Sequence, residues 1–193
     1  RRRYDLRFDS PGANVLTTLG RGDKSLFSVL RHLPGGVPYS RSPESIVDEL
    51  AGIECEDVYI VDDIFLINRR RLRRIADLMR ERGIRKKIFC YGRSDFIAEN
   101  EDVIEEWAGL EAATDPELDS MDKENTVDNN LRAVEVLRRH GVDTYGSLIP
   151  HPDYTREDWD RLWRFIDEAG LYYLNISPLT PLPGTAIWEE YRD

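Results

Sequence analysis

Five short apolar runs, at residues 13–19, 57–61, 87–91, 144–149 and 172–177, constrain this chain more than any other feature. Each is the length of a strand and too short for a buried helix, and each reads as continuously apolar, as strands covered on both faces do. The stretches between them are long and amphipathic. Alternation of that kind is the pattern of repeated strand–helix units, which place parallel strands side by side with helices packed against them.

The helices have legible starts and stops. Ser42-Pro43-Glu44 supplies an N-cap, a proline at the first helical position and an early acid, with Ile46, Val47 and Leu50 on the inward face. Thr155-Arg156-Glu157-Asp158 has the form of a capping box, and Trp159, Leu162, Trp163 and Ile166 follow at helical spacing. Val127, Leu131, Val134 and Leu137 form another stripe, closed by Arg138-Arg139-His140-Gly141, where cations suit the helix C-terminus and glycine suits a left-handed exit. Leu72, Ile75, Ala76 and Met79 keep helical spacing beneath a run of arginines. All four stripes are expected to be core packing.

With 193 residues, 40% hydrophobic and 33% charged, the chain can bury one sizeable core and is too polar for a membrane protein. A single domain over residues 1–193 is expected, and the absence of an apolar signal or span points to the cytoplasm. A first residue Arg1 and a last helical segment through Tyr191 suggest a piece of a longer chain. A net charge of −10 argues against nucleic-acid backbone binding. The basic cluster Arg69-Arg70-Arg71-Leu72-Arg73-Arg74 is expected to be a solvated helix face. There are two cysteines, Cys55 and Cys90, and Cys90 within Ile88-Phe89-Cys90-Tyr91 reads as a small buried strand residue.

In a fold of this class the loops after the strand C-termini build the site, because the following helices present free N–H groups there. Those loops are residues 20–28, 62–65, 92–95, 150–155 and 178–185, rich in Gly, Pro, Asp and Ser.

Taken in order, several motifs resemble the radical S-adenosylmethionine (radical SAM) core, in the version found in cobalamin-binding-domain radical SAM proteins. They are Pro34-Gly35-Gly36 leading to Tyr39-Ser40-Arg41-Ser42-Pro43-Glu44, Val61-Asp62-Asp63-Ile64-Phe65, Gly92-Arg93-Ser94-Asp95, Gly109-Leu110-Glu111, Lys123 with Thr126, and Pro178-Leu179-Thr180-Pro181-Leu182-Pro183-Gly184-Thr185. The resemblance implies an α/β fold, a partial parallel (β/α) barrel. It further implies a [4Fe–4S] cluster on three cysteines after the first strand, S-adenosylmethionine (SAM) chelated to the fourth iron, and cobalamin where an upstream domain carries it.

Two departures from that pattern are expected to matter. In the three cluster-ligand places stand Arg21, Ser25 and Ser28, with Phe27 fixing the register. A hydroxyl is a poor substitute for a soft anionic thiolate, and guanidinium has no lone pair to give. Near Trp107 the chain passes almost directly from helix into Gly109-Leu110-Glu111, so a fourth strand is expected to be missing or shortened.

The resemblance places Asp62 and Asp63 near the SAM amino group, and Arg93, Asp95 and Glu111 toward its ribose and carboxylate. Independently, paired carboxylates at a strand end suit an ammonium, and an arginine suits a carboxylate. The alternative for these residues is structural: Asp62 capping a turn and Arg93 pairing with Asp95. His151, between Pro150 and Pro152, is a candidate general base or a loop histidine. The leading expectation is a radical SAM-like domain degenerate at its iron–sulfur motif that retains ligand or partner binding. The alternatives are an active radical SAM enzyme, methyltransferase-type, with altered cluster ligation, and a non-catalytic scaffolding module.

Overall fold

The computed structural model describes residues 12–19, 39–109, 127–183 and 185–191. In chain order the elements are β1 (Ala13–Val15), β2 (Thr18–Leu19), β3 (Tyr39–Ser40), α1 (Pro43–Gly52), β4 (Asp57–Ile60), α2 (Arg69–Glu81), β5 (Lys87–Phe89), α3 (Ser94–Glu99) and α4 (Glu101–Ala108), then α5 (Val127–Arg139), β6 (Tyr145–Leu148), α6 (Arg156–Ala169), β7 (Tyr173–Ile176) and α7 (Ala186–Tyr191).

The strands form a partial, open version of a parallel α/β barrel wall. One sheet has the order β1-β4-β5, all parallel, with Val15 opposite Ile60 and Tyr59 opposite Phe89. A second parallel pair joins β6 to β7, with Leu148 opposite Ile176. A single parallel bridge between Leu66 and Gly92 continues the β4–β5 neighbourhood beyond the strands. Among the described residues, β5 and β6 are not paired with each other. The expected loss of a fourth strand concerns residues 110–126, outside the described residues.

The first apolar run does not make one strand. β1 stops at Val15, and Thr18–Leu19 turns away to pair antiparallel with Tyr39–Ser40, a strand that sequence patterning did not suggest. The reason is a distant partner: the backbone N–H groups of Thr17 and Thr18 donate to the Asp62 carboxylate rather than to a neighbouring strand.

The helix signals are realised where capping chemistry fixes them. Ser42 accepts from Ser45 N–H with Pro43 at the first helical position, and Thr155 and Asp158 complete a reciprocal capping box. Gly141 leaves α5 at φ +71°, a left-handed turn that glycine adopts without side-chain strain. Two stripes each lose one expected position to solvent. On α5, Val127 is exposed, and the buried positions are Asn130, Ala133, Val134, Val136 and Leu137. On α6, Trp163 is half exposed, while Leu162, Phe165, Ile166 and Ala169 turn inward.

Two cores result. The larger gathers Val15, Val58, Ile60 and Ile88 from the strands against α1 to α4, with Phe65 and Trp107 in edge-to-face contact at 5.3 Å. The smaller joins Leu148, Ile166, Ala169 and Leu171. Helix α5 serves both, sending Ala133, Val136 and Leu137 to the first and Val134 to the second. Cys90 is fully buried, as expected. Four arginines of α2 are in a surface network: Arg69 and Arg73 bind Asp102, Arg80 binds Glu106 at 2.7 Å, and Arg74 binds Glu44 at 3.1 Å. Such exposed pairs tie α2 to its neighbours but stabilise modestly.

Candidate site at the strand C-termini

Strand parity decides which side chains can meet a ligand. In β4, Val58 and Ile60 are buried against the helices, while Tyr59 points to the opposite face, edge-to-face with Phe89 at 5.0 Å. Continuing the period of two beyond Ile60 puts Val61 on the open side and Asp62 on the helix side. Val61 is indeed exposed and Asp62 is buried.

Asp62 is accordingly committed inside the protein. It accepts from Thr17 N–H at 2.6 Å, Thr18 N–H at 3.0 Å and the Thr17 hydroxyl. Arg71, from the first turn of α2, closes the same knot by donating to Thr17 O at 2.9 Å, Thr17 Oγ1 at 3.0 Å and Thr18 Oγ1 at 3.2 Å. Burial lowers the pKa of Arg71, the Asp62 charge opposes that shift, and the guanidinium remains a cation at any ordinary pH. Arg41 holds the other side of the turn, donating to Leu16 O at 2.9 Å and Ser45 O at 3.0 Å. Asp63, one residue on, is exposed.

Arg93 grips Asp95 through two parallel contacts, Nε to Oδ1 at 3.0 Å and Nη2 to Oδ2 at 2.7 Å. Burial of Asp95 works against ionisation, but hydrogen bonds from Arg93 and from Phe96 N–H outweigh it and hold the carboxyl below its ordinary range. The intervening Ser94 donates to Asn130 of α5 at 2.6 Å, which anchors the loop to the helix that joins the two cores.

At the second strand pair, His151 follows the end of β6. Its Nε2 lies 2.8 Å from Tyr191 Oη, and its Nδ1 lies 3.4 Å from Asp153 Oδ2. Tyr191 arrives from α7, forty residues later, and nothing in the sequence pairs it with His151. Arg71 escaped notice for a different reason, hidden within a run of surface arginines. Strand parity was the available signal for the inward turn of Asp62. Arg21, Ser25, Ser28 and Glu111 lie outside the described residues.

No protein-family model matches the chain. The hopanoid C-3 methylase of Methylococcus capsulatus is 30% identical over 156 residues, covering 76% of this chain and 30% of that protein. The cobalamin-dependent S-adenosylmethionine radical enzyme OxsB superposes over 80% of this chain and 26% of its own, with a TM-score of 0.67 at 15% identity. The chain has the fold of the radical SAM core. Methylornithine synthase (PylB) shares the same fold, with a TM-score of 0.63 over 91% of this chain and 55% of its own, at 10% identity. The chain spans 28–35% of the length of the curated relatives it matches.

The donor chemistry of this core does not fit a thiolate-held cluster. Three thiolates are required, and the sequence holds two cysteines. Those two also lie at opposite ends of the parallel sheet: Cys55 precedes β4, with its sulfur toward Asp57 O, whereas Cys90 follows β5 and is fully buried. Among the described residues, no group of three or more His, Cys, Asp or Glu is arranged to hold a metal, and no helix is long and apolar enough to cross a membrane.

Proposed function

We propose that this chain is a radical SAM core that does not assemble an iron–sulfur cluster from its own thiols and acts by binding a SAM-like ligand at the strand C-termini. The observation that carries this reading is the number and placement of its cysteines, two in all, on opposite ends of the sheet. With Asp62 buried in the Thr17–Arg71 knot, the ammonium of such a ligand is left to Asp63. Its carboxylate would meet Arg93 in competition with Asp95, which already holds the guanidinium through Nε and Nη2.

The test is anaerobic iron and sulfide reconstitution with iron counted per chain, followed by SAM titration of the same sample. A colourless chain whose melting temperature rises with SAM supports the proposal. Near-stoichiometric iron with SAM cleavage overturns it, and a chain with neither iron nor a SAM response removes the ligand-binding half. A second reading, an active methyltransferase-type enzyme whose cluster is held by other donors, is favoured by the 30% identity to a hopanoid methylase. Iron uptake that survives replacement of both Cys55 and Cys90 by alanine would decide for it.

A further inference from the structure

We infer that Tyr191 and His151 form a proton-transfer pair at the end of β6, able to give a proton to, or take one from, a ligand oxygen without iron or SAM. Three groups from separate parts of the chain converge there. Tyr191 Oη is 2.8 Å from His151 Nε2, and Asp153 Oδ2 is 3.4 Å from His151 Nδ1. The two rings meet edge-to-face with centroids 5.6 Å apart, which fixes the phenol over one nitrogen of the imidazole.

This is the arrangement of a hydroxyl, a base and a group that orients the base. Asp153 N–H also points at Nδ1, at 3.4 Å, so the Nε2 lone pair faces the phenol in the tautomer whose Nδ1–H turns to Asp153 Oδ2 instead. When the Tyr191 O–H bond breaks, the proton moves to Nε2, and the resulting imidazolium donates to the phenolate on one side and to Asp153 on the other. In the reverse sense the imidazolium returns its proton to Tyr191 as the phenol gives its own to a ligand oxygen, so the net change is one proton from His151 to the ligand. No electrons are exchanged.

The placement suits the task. His151 stands in the loop after a parallel strand, where ligands of α/β folds are met, and it is only half-buried, as is usual for a group that must reach a ligand. The loop itself is set by the ladder beyond the strands, where Leu179 N–H donates to Pro150 O at 2.9 Å. A fold partner holding α7 in place would need neither an imidazole nor a nearby carboxylate. Asp153 Oδ2 is also 3.3 Å from Tyr191 Oη, a second acceptor for the same phenol proton.

The test uses the whole chain, free of iron and SAM, with N-acetylimidazole as the probe. Acetylation breaks the Tyr191 O–H bond, passes its proton to His151 and joins the phenolate oxygen to the acetyl carbon, and His151 hands the proton on to the departing imidazole. Tyr172 is the internal control, because it is 84% exposed against 37% for Tyr191, so exposure alone would make it the faster residue. The expected result is Tyr191 acetylated at least about tenfold faster than Tyr172, falling to or below the control rate in His151→Gln and reduced in Asp153→Asn. Equal or slower labelling of Tyr191 in the unmodified chain overturns the inference, whether or not the variants fold. So does fast labelling that survives His151→Gln. Because neither iron nor SAM is present, the outcome is separate from that of the proposed function.

Discussion

Thr17 donates its backbone N–H to Asp62 across 2.6 Å, and that bond ends the first strand. The carboxylate takes the amide protons that a longer β1 would have offered to a neighbour, and Arg71 neutralises it from α2 while tying the Thr17 carbonyl. Removing the carboxylate leaves two amide donors, a hydroxyl and a cation without it, and each buried group so abandoned costs roughly 1–3 kcal/mol. Asp62→Ala is therefore expected to destabilise the chain by about 3 kcal/mol, read as a lower urea midpoint with unchanged slope. Asp63→Ala, at an exposed position, is expected to leave the midpoint within about 0.5 kcal/mol.

Gly92 is required by contact with Leu66 rather than by backbone angle. A Cβ placed there would stand 2.7 Å from Leu66 Cδ1 and 2.9 Å from Leu66 Cβ, and the second of these atoms cannot swing aside. Gly92→Ala should cost about 1–3 kcal/mol by overpacking. Trimming Leu66 in the same chain should recover part of that loss, so that the double variant is more stable than the sum of the two single effects predicts. Strict additivity of the melting data would show that the contact is not the cause.

The capping box of α6 has an acid signature. Hydrogen bonds from the Thr155 hydroxyl and backbone, with a contact from Arg161, bring the Asp158 carboxyl from 3.8 down to about 2. A depressed folded value means that this carboxylate contributes stability above its unfolded pKa, and that the contribution is lost as pH falls toward about 2. Thr155→Val should move the Asp158 titration upward, followed by carboxyl carbon chemical shifts, and should fray the first turn of α6. An unchanged Asp158 titration would contradict the assigned cause.

The elements that were legible in the sequence are those specified locally. Ser42-Pro43 and Thr155 with Asp158 start helices through contacts within four residues, and Gly141 ends one, so the text alone locates them. The parallel strands were legible as apolar runs, although each is shorter at its edges than the run that marks it. What escaped depends on distant partners. The pairing of Tyr39–Ser40 with Thr18–Leu19 follows from a carboxylate more than forty residues away, and Trp163 is exposed where α6 turns Leu162, Phe165, Ile166 and Ala169 to the smaller core. In the site, Arg93 and Asp95 took the structural alternative open to them, each the other's partner. The sequence had no means of bringing Tyr191 to His151.

The Arg93–Asp95 pair links the candidate ligand site to pH. Although burial disfavours its charge, Asp95 is held below its ordinary range by Arg93 and Phe96, so its contribution to stability is present above the unfolded pKa and disappears as pH falls through the folded value. Arg93→Gln removes the larger favourable contact but leaves the Phe96 N–H bond at 2.7 Å. The Asp95 titration should rise toward that of a free carboxyl, and the acid limb of the stability curve should flatten. If Arg93 also receives the carboxylate of a SAM-like ligand, the same variant loses a charge-assisted contact worth roughly 1.5–3 kcal/mol, or about ten- to a hundredfold in affinity. Calorimetric titration of SAM into both chains at neutral pH separates the two roles. A flattened acid limb with unaltered SAM affinity would leave Arg93 as a purely structural partner of Asp95 and send the search for the ligand carboxylate elsewhere along the strand ends.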